Sequence, residues 1–219
     1  MHKPRWQRRQ DERPGEILNA ALDVFAARGF AAAKLDEVAA RAGVSKGTLY
    51  LYFESKEELF RSMVRSLLLP NVAMAEQRIA EHKGSAAELM RGLVMTFGRI
   101  IIESKLGAIP KLIVAEATNF PDLAKFYYEE VIKRGMRAMS GLLQRGVEAG
   151  EFRPIPIEQF LPLLMGPLLL LIVWKHGFER AGVPPLPVEA VIAQHADCLL
   201  RALAPDGPAR KEAKHERKK

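Results

Sequence analysis

Residues 42–53 read Ala42-Gly43-Val44-Ser45-Lys46-Gly47-Thr48-Leu49-Tyr50-Leu51-Tyr52-Phe53. Gly43 allows a sharp reversal of the chain, Val44 is placed to pack inward, and Ser45 supplies a hydroxyl that caps a following helix. Before this turn, Leu35, Val38, Ala39 and Ala42 mark a short amphipathic helix; after it, Lys46–Phe53 forms another. Two short helices about a four-residue turn have helix-turn-helix geometry. The second helix gathers a cation, a glycine, a hydroxyl and two tyrosines into two turns, an unusual surface for a plain solvated helix. Gly47 costs about 0.8–1 kcal/mol relative to alanine. That cost makes sense where the backbone must approach something closely, such as a phosphate. Thr48 and Tyr50 can meet base edges or thymine methyls, while Tyr52 and Lys56 can reach phosphate oxygens. The amino end of the next helix, at Ser55, is itself suited to a phosphate.

Outward from this stretch the pattern stays helical. Ile17, Ala20, Ala21, Val24 and Phe25 recur at i, i+3, i+4 spacing, giving a helix from near Pro14 to a stop at Gly29. Ser55-Lys56-Glu57-Glu58 is a capping box, and its helix continues through Leu67 and past Pro70 with a kink. A second box, Ser85-Ala86-Ala87-Glu88, starts a helix to about Ser104. Pro110 lies in the first turns of the next, which ends near Asn119, and Pro121 opens a long helix to Gly150. Two more follow, at about 157–180 and 187–203. No segment alternates with period two over any length. The expectation is an all-α chain of nine helices without a sheet.

The 219 residues are 48% hydrophobic and 27% charged, which excludes disorder of the whole chain. A single cysteine, Cys198, excludes an internal disulfide framework and a CxxC zinc site, and suits a reducing compartment. Residues 1–13 are charged and lack a signal-peptide pattern. The apolar run from Phe160 to Trp174 is interrupted by Pro162, Gly166 and Pro167, short of the roughly 18–20 apolar residues of a membrane span. A cytoplasmic protein without membrane contact is expected. The formal charge of +7 sits in the ends: residues 1–13 carry five cations against two acids, and 208–219 six against two. These ends read as disordered tails that either graze phosphate or aid solubility.

Gly43-Val44-Ser45-Lys46-Gly47 fits the serine-hydrolase elbow G-x-S-x-G, but that motif needs a preceding strand, and a helix precedes it here. Five histidines (His2, His82, His176, His195 and His215) form no i, i+4 pair. No phosphate-binding loop or dinucleotide glycine pattern is present. No catalytic residue, metal or cofactor is expected.

Ile17-Leu18-Asn19-Ala20-Ala21, Phe25, Gly29-Phe30, Asp36-Glu37-Val38-Ala39, the 42–53 stretch and Lys56-Glu57-Glu58-Leu59 together resemble the tetracycline-repressor (TetR) family, over about residues 14–65. The resemblance implies a homodimeric bacterial transcription factor: a three-helix head that reads double-stranded operator DNA, and a roughly six-helix body that binds a small molecule and dimerises through its last two helices. The chain then divides into a head at 11–71, a body at 72–205 and a basic tail at 206–219. Where the family often starts its second helix with threonine, this chain has Ala33-Lys34-Leu35; Lys34 either replaces the lost cap with a phosphate contact or is a solvated lysine. The expected DNA-contacting set is Lys34, Ser45, Lys46, Gly47, Thr48, Leu49, Tyr50, Tyr52 and Lys56. A repressor released by an effector is the leading expectation, with an activator or non-induced DNA binder of the same fold as the alternative.

In the body, Phe97, Ile101, Phe120, Tyr127, Tyr128 and Trp174 either line a pocket for an apolar or amphipathic effector or pack the core. Leu168–Trp174 is apolar around the full circumference, so both sides of that helix require cover. One chain offers one side. A second copy would supply the other, across Leu168, Leu169, Ile172, Val188, Val191, Ile192, His195 and Leu199.

Overall fold

The computed structural model describes residues 5–205, with side chains from Pro14 onward. The charged side chains of 1–13 and the basic tail at 206–219 lie outside the described residues. Helix α1 is Arg5–Arg28, α2 Leu35–Arg41 and α3 Lys46–Tyr52. Helix α4 runs over Lys56–Met63, a π-helical turn at Val64–Leu68, and Leu69–Glu81. Helix α5 is Ala86–Glu103, and a 3₁₀ turn at Lys105–Gly107 leads into α6, Ala108–Glu116. Helix α7 joins Pro121–Tyr127, a π turn at Tyr128–Ile132 and Lys133–Glu148. Helix α8 joins Ile157–Val173, a π turn at Trp174–Phe178 and a 3₁₀ turn at Glu179–Ala181; α9 is Val188–Leu203. The described residues thus form nine helices and no strand.

Two helices differ from expectation. Helix α1 starts at Arg5, so Pro14 lies inside it rather than at its start. Proline removes one amide donor, and the helical turns on either side carry the chain through. The same holds in α8, where Pro162 and Pro167 both lie within the helix. The continuous helical stretch Ile157–Ala181 is, by length and composition, apolar enough to cross a membrane, contrary to the reading that prolines cut it short. Here it packs against α5, α6, α7 and α9. In α4, Pro70 cannot donate to the carbonyl of Ser66; just before it the helix widens, and the Leu69 amide bonds back to Val64.

One continuous apolar core runs from Ile17 in the head to Leu203 in the body. Phe25, Phe30 and Phe60 are buried in the head with ring centroids 5.4–5.8 Å apart. Phe120, just before α7, completes the cluster edge-on to Phe30 at 4.8 Å. The joint is lined by Phe30 and Phe60 on one side and by Leu112, Ile113, Glu116 and Leu123 on the other. Polar contacts reinforce it. Glu116 accepts from the Ala31 amide (3.2 Å), and Asp23 is shared between Arg41 (2.7 Å) and Lys105 (2.6 Å). Arg61 and Arg65 both lie over the Phe126 ring, at 4.9 and 5.1 Å.

Candidate nucleic-acid interface and effector region

The turn into α3 is built by backbone chemistry. The Val44 amide bonds to the carbonyl of Ala39 (3.0 Å) and the Gly43 amide to that of Ala40 (3.2 Å), a Schellman closure of α2. It requires a left-handed residue, and Gly43 has φ +67°. Ser45 then caps α3: its Oγ accepts from the Thr48 amide (3.1 Å) and lies 2.8 Å from Thr48 Oγ1. The hydrolase reading fails on this geometry, because the serine joins two helices and no strand precedes it.

Helix α3 sorts its residues into two faces. Leu49 is 0% exposed and Phe53 is buried, anchoring the helix in the core of the head, so Leu49 is a core residue and not a DNA contact as expected. Lys46, Gly47, Tyr50 and Leu51 point outward. Tyr50 is 44% and Leu51 84% exposed. Leu51 was missed in the sequence because an apolar residue between two tyrosines reads as packing; only the phase of the finished helix turns it out. Gly47 has no internal reason to be glycine: a Cβ there would meet only Ser45 Oγ, at 3.9 Å. Thr48 and Tyr52 are half-buried, Tyr52 against Phe53. Lys46 pairs with Asp36 at 2.9 Å, and its hydrogen bond to that carboxylate raises the ammonium above the ordinary lysine range.

Lys56 departs most from expectation. Its Nζ donates to the carbonyls of Phe30 (2.8 Å), Ala31 (3.0 Å) and Ala33 (3.3 Å) and sits 4.8 Å over the Phe30 ring. The ammonium is turned inward to the loop between α1 and α2, so its three donors serve the fold instead of a phosphate. Ser55 caps α4 through the Glu58 amide (3.1 Å), and Glu58 reaches back to the Glu54 amide (2.7 Å). Lys34 is exposed at the start of α2, with no side-chain cap bond.

The six body residues named as pocket candidates do not converge on one cavity. Ile101 and Tyr127 are buried in the core. Burial pushes the Tyr127 phenol up, beyond the ordinary tyrosine range. Tyr128 is exposed, Phe120 belongs to the head–body joint, and Trp174 donates its indole N–H to the carbonyl of Pro184 (3.0 Å). Phe97 borders a cleft between α5 and the distal half of α4, and Phe120 a separate gap at the head–body joint.

Most of the expected dimer face is turned inward. Leu168, Ile172, Val188, Ile192 and Leu199 are buried within one protomer. Ile192 is seated on α5, its methyl carbons 2.9 and 3.2 Å from where a Cβ on Gly98 would lie. His195 is half-buried with Nε2 2.9 Å from the carbonyl of Leu164, and Val191 is half-buried. The large apolar residues left exposed on α8 are Leu163, Met165, Leu169, Leu170 and Phe178. A helix apolar on every side carries no phase in its sequence, which is why the named set mixed Leu169, exposed here, with inward residues.

A capped helix-turn-helix that presents its second helix outward, on an all-helical body, has the architecture of a DNA-binding regulator. Residues 17–63 match the model for bacterial regulatory proteins of the tetR family, and 88–202 match the C-terminal domain of AefR-like transcriptional repressors. The chain belongs to the TetR family of transcriptional regulators and is not an enzyme. Among its relatives is the HTH-type transcriptional repressor KstR2 of Mycobacterium tuberculosis, 31% identical over 200 residues, 90% of this chain and 96% of that one. The solved structure of that ketosteroid regulator superposes with a TM-score of 0.70 at 25% identity, over 89% of this chain and 96% of the other. The regulator FadR from Bacillus subtilis, solved in complex with stearoyl-CoA, has the same fold, with a TM-score of 0.68 at 20% identity over 86% and 98% of the two chains.

Proposed function

We propose that this protein is a cytoplasmic homodimeric repressor that binds a palindromic operator through α3 of each head and is released by a small apolar or amphipathic effector. The observation that carries the reading is the outward face of α3, where Gly47, Tyr50 and Leu51 stand free while Leu49 and Phe53 hold the helix in the head. A bare backbone at Gly47 suits close approach to phosphate, Tyr50 offers a ring and a hydroxyl, and Leu51 offers methyl groups to thymine. Lys46 and Lys34 add positive charge at the rim. The exposed leucines of α8 support self-association, and two-fold symmetry presents equivalent heads to equivalent half-sites. The printed names of the ketosteroid regulator and of the fold neighbour solved with stearoyl-CoA support an effector with a large apolar part. Release requires the effector to prefer the state that holds DNA weakly.

Selection of randomised duplexes by the purified protein tests the reading. A two-fold symmetric sequence should be enriched, and Tyr50→Ala should abolish its binding while helicity is kept. Enrichment of no sequence, or wild-type affinity in Tyr50→Ala, overturns it.

A further inference from the structure

The Asp23 carboxylate, near the end of α1, is held from two sides by different parts of the chain. One oxygen accepts from Lys105 Nζ (2.6 Å) and the other from Arg41, through Nη2 (2.7 Å) and Nε (3.0 Å). Arg41 is the last residue of α2, one turn ahead of Ser45 and α3, so that arm belongs to the helix-turn-helix. Lys105 belongs to the body, in the 3₁₀ turn between α5 and α6. That turn is wedged onto α8. The His176 ring places Nε2 2.9 Å from the Ile102 carbonyl, and it packs so closely on Gly107 that an added Cβ would collide with the same nitrogen. One turn further along α8, Arg180 donates to the Ala26 carbonyl of α1 (2.8 Å). Helix α8 thus reaches α1 directly through Arg180 and indirectly through Lys105, by a path that leaves α4 aside. Burial raises the Asp23 carboxyl, but the hydrogen bonds of Lys105 and Arg41 outweigh it. They hold the group below the ordinary carboxylate range, so the bridge is charged at neutral pH.

We propose that Asp23 is a positioning residue for operator recognition: it fixes the helix-turn-helix relative to α8 and thereby the number of base pairs tolerated between half-sites, which rests on the two-fold operator reading above. An acidic side chain repels phosphate, so its part in recognition is to hold other groups in place. The exposed leucines of α8 that support self-association lie on the same helix as His176 and Arg180. The bridge therefore completes a path from one head to the other through the two copies of α8. Each base pair added between half-sites moves them about 3.4 Å apart and turns one by about 35° relative to the other. Heads held firmly meet only one such arrangement, whereas heads that pivot meet several. The apolar joint of Phe30, Phe60 and Phe120 keeps the head attached without the bridge. Apolar burial is non-directional, however, while a carboxylate held on both oxygens fixes a direction. Lys105 and Arg41 are 70% and 55% exposed, and ion pairs so open to solvent add little to stability. What the bridge supplies is orientation.

The test uses the full-length protein and the symmetric duplex that it selects, with one or two base pairs inserted or removed at the centre. Wild type should lose about tenfold in affinity for each base pair changed, the order of a single mismatched pair. Lys105→Met and Asp23→Asn should bind the parental duplex within about threefold of wild type, and the altered spacings within about threefold of the parental one. Lys105→Arg keeps a donor and should discriminate as wild type does. Lys133→Met removes an exposed pair within α7 and should leave discrimination unchanged. A second arm needs no DNA. Double electron–electron resonance between nitroxides on the exposed Cys198 and on Glu54→Cys, in protein diluted with unlabelled chain, should give a broader distance distribution in Lys105→Met than in wild type. Relaxed spacing in neither or in only one of Asp23→Asn and Lys105→Met, or an equal loss on every spacing, overturns the proposal. If wild type selects no symmetric duplex while Lys105→Met still broadens the distance, the operator reading fails and the bridge stands as what orients the head. An unbroadened distance sinks the bridge whatever the duplexes show.

Discussion

Gly47 and Lys56 show how opposite demands fall on single residues of the head. Nothing inside the chain opposes a side chain at Gly47, so Gly47→Ala should stabilise the head by up to about 1 kcal/mol through helix propensity. If α3 lies against a phosphate, the same methyl group should weaken operator binding. A higher melting temperature with a lower affinity is the expected pair of results, and unchanged affinity would remove Gly47 from the interface. Lys56 should behave the other way. Its ammonium serves three carbonyls, and replacement by alanine leaves them short of a donor. Lys56→Ala should cost about 1–3 kcal/mol of stability. The salt dependence of DNA binding should stay as in wild type, whereas loss of a phosphate contact would lower the slope by about one. Chemical denaturation and affinity measured over a salt series separate the two.

At the level of elements, capping decides where helices start, and one cap comes from a distance. The Ser85 Oγ serves the Glu88 amide (3.3 Å), but the carboxylate completing this cap is Glu151, which accepts from Ser85 Oγ (2.6 Å) and from the amides of Ala86 (3.0 Å) and Ala87 (3.2 Å). The hydrogen bond from Ser85, with those of the two amides, holds the Glu151 carboxyl below the usual glutamate range. A depressed carboxyl stabilises the fold above its unfolded-state value, and that stability is lost as pH falls through the folded-state value. Glu151→Gln should therefore destabilise by about 1–2 kcal/mol at neutral pH. The gap from wild type should close in acid, as urea denaturation across pH would report. Local signals made much of this architecture legible: the hydroxyl of Ser55, the glycine at 43 and the period of Ile17–Phe25 act within a few residues of themselves. Glu151 and Lys56 were misread or missed because their partners lie 64–66 and 23–26 residues away in the chain. Spacing along a sequence carries no record of such contacts.

At the level of the molecule, self-association rests on which side of α8 remains bare. Leu169 and Leu170 are exposed, so a glutamate there leaves the protomer intact. In a dimer joined through this face it would bury a carboxylate in each subunit, at several kcal/mol per ion. Leu169→Glu should sediment as a folded monomer and lose the operator, although α3 is unaltered. Ile192→Glu places its charge in the interior of the protomer, where only 1% of the residue is exposed, and should unfold the chain instead. A Leu169→Glu protein that stays dimeric would move the interface elsewhere. The aromatic joint between head and body has a further consequence, for engineering. Phe30 meets Phe120, and the Ala31 amide meets Glu116, so part of the head's own lining is encoded past residue 100. A chimera that transplants residues 1–71 onto the sensing half of another regulator would arrive with that socket empty; carrying Glu116 and Phe120 across with the graft is the smallest change that fills it.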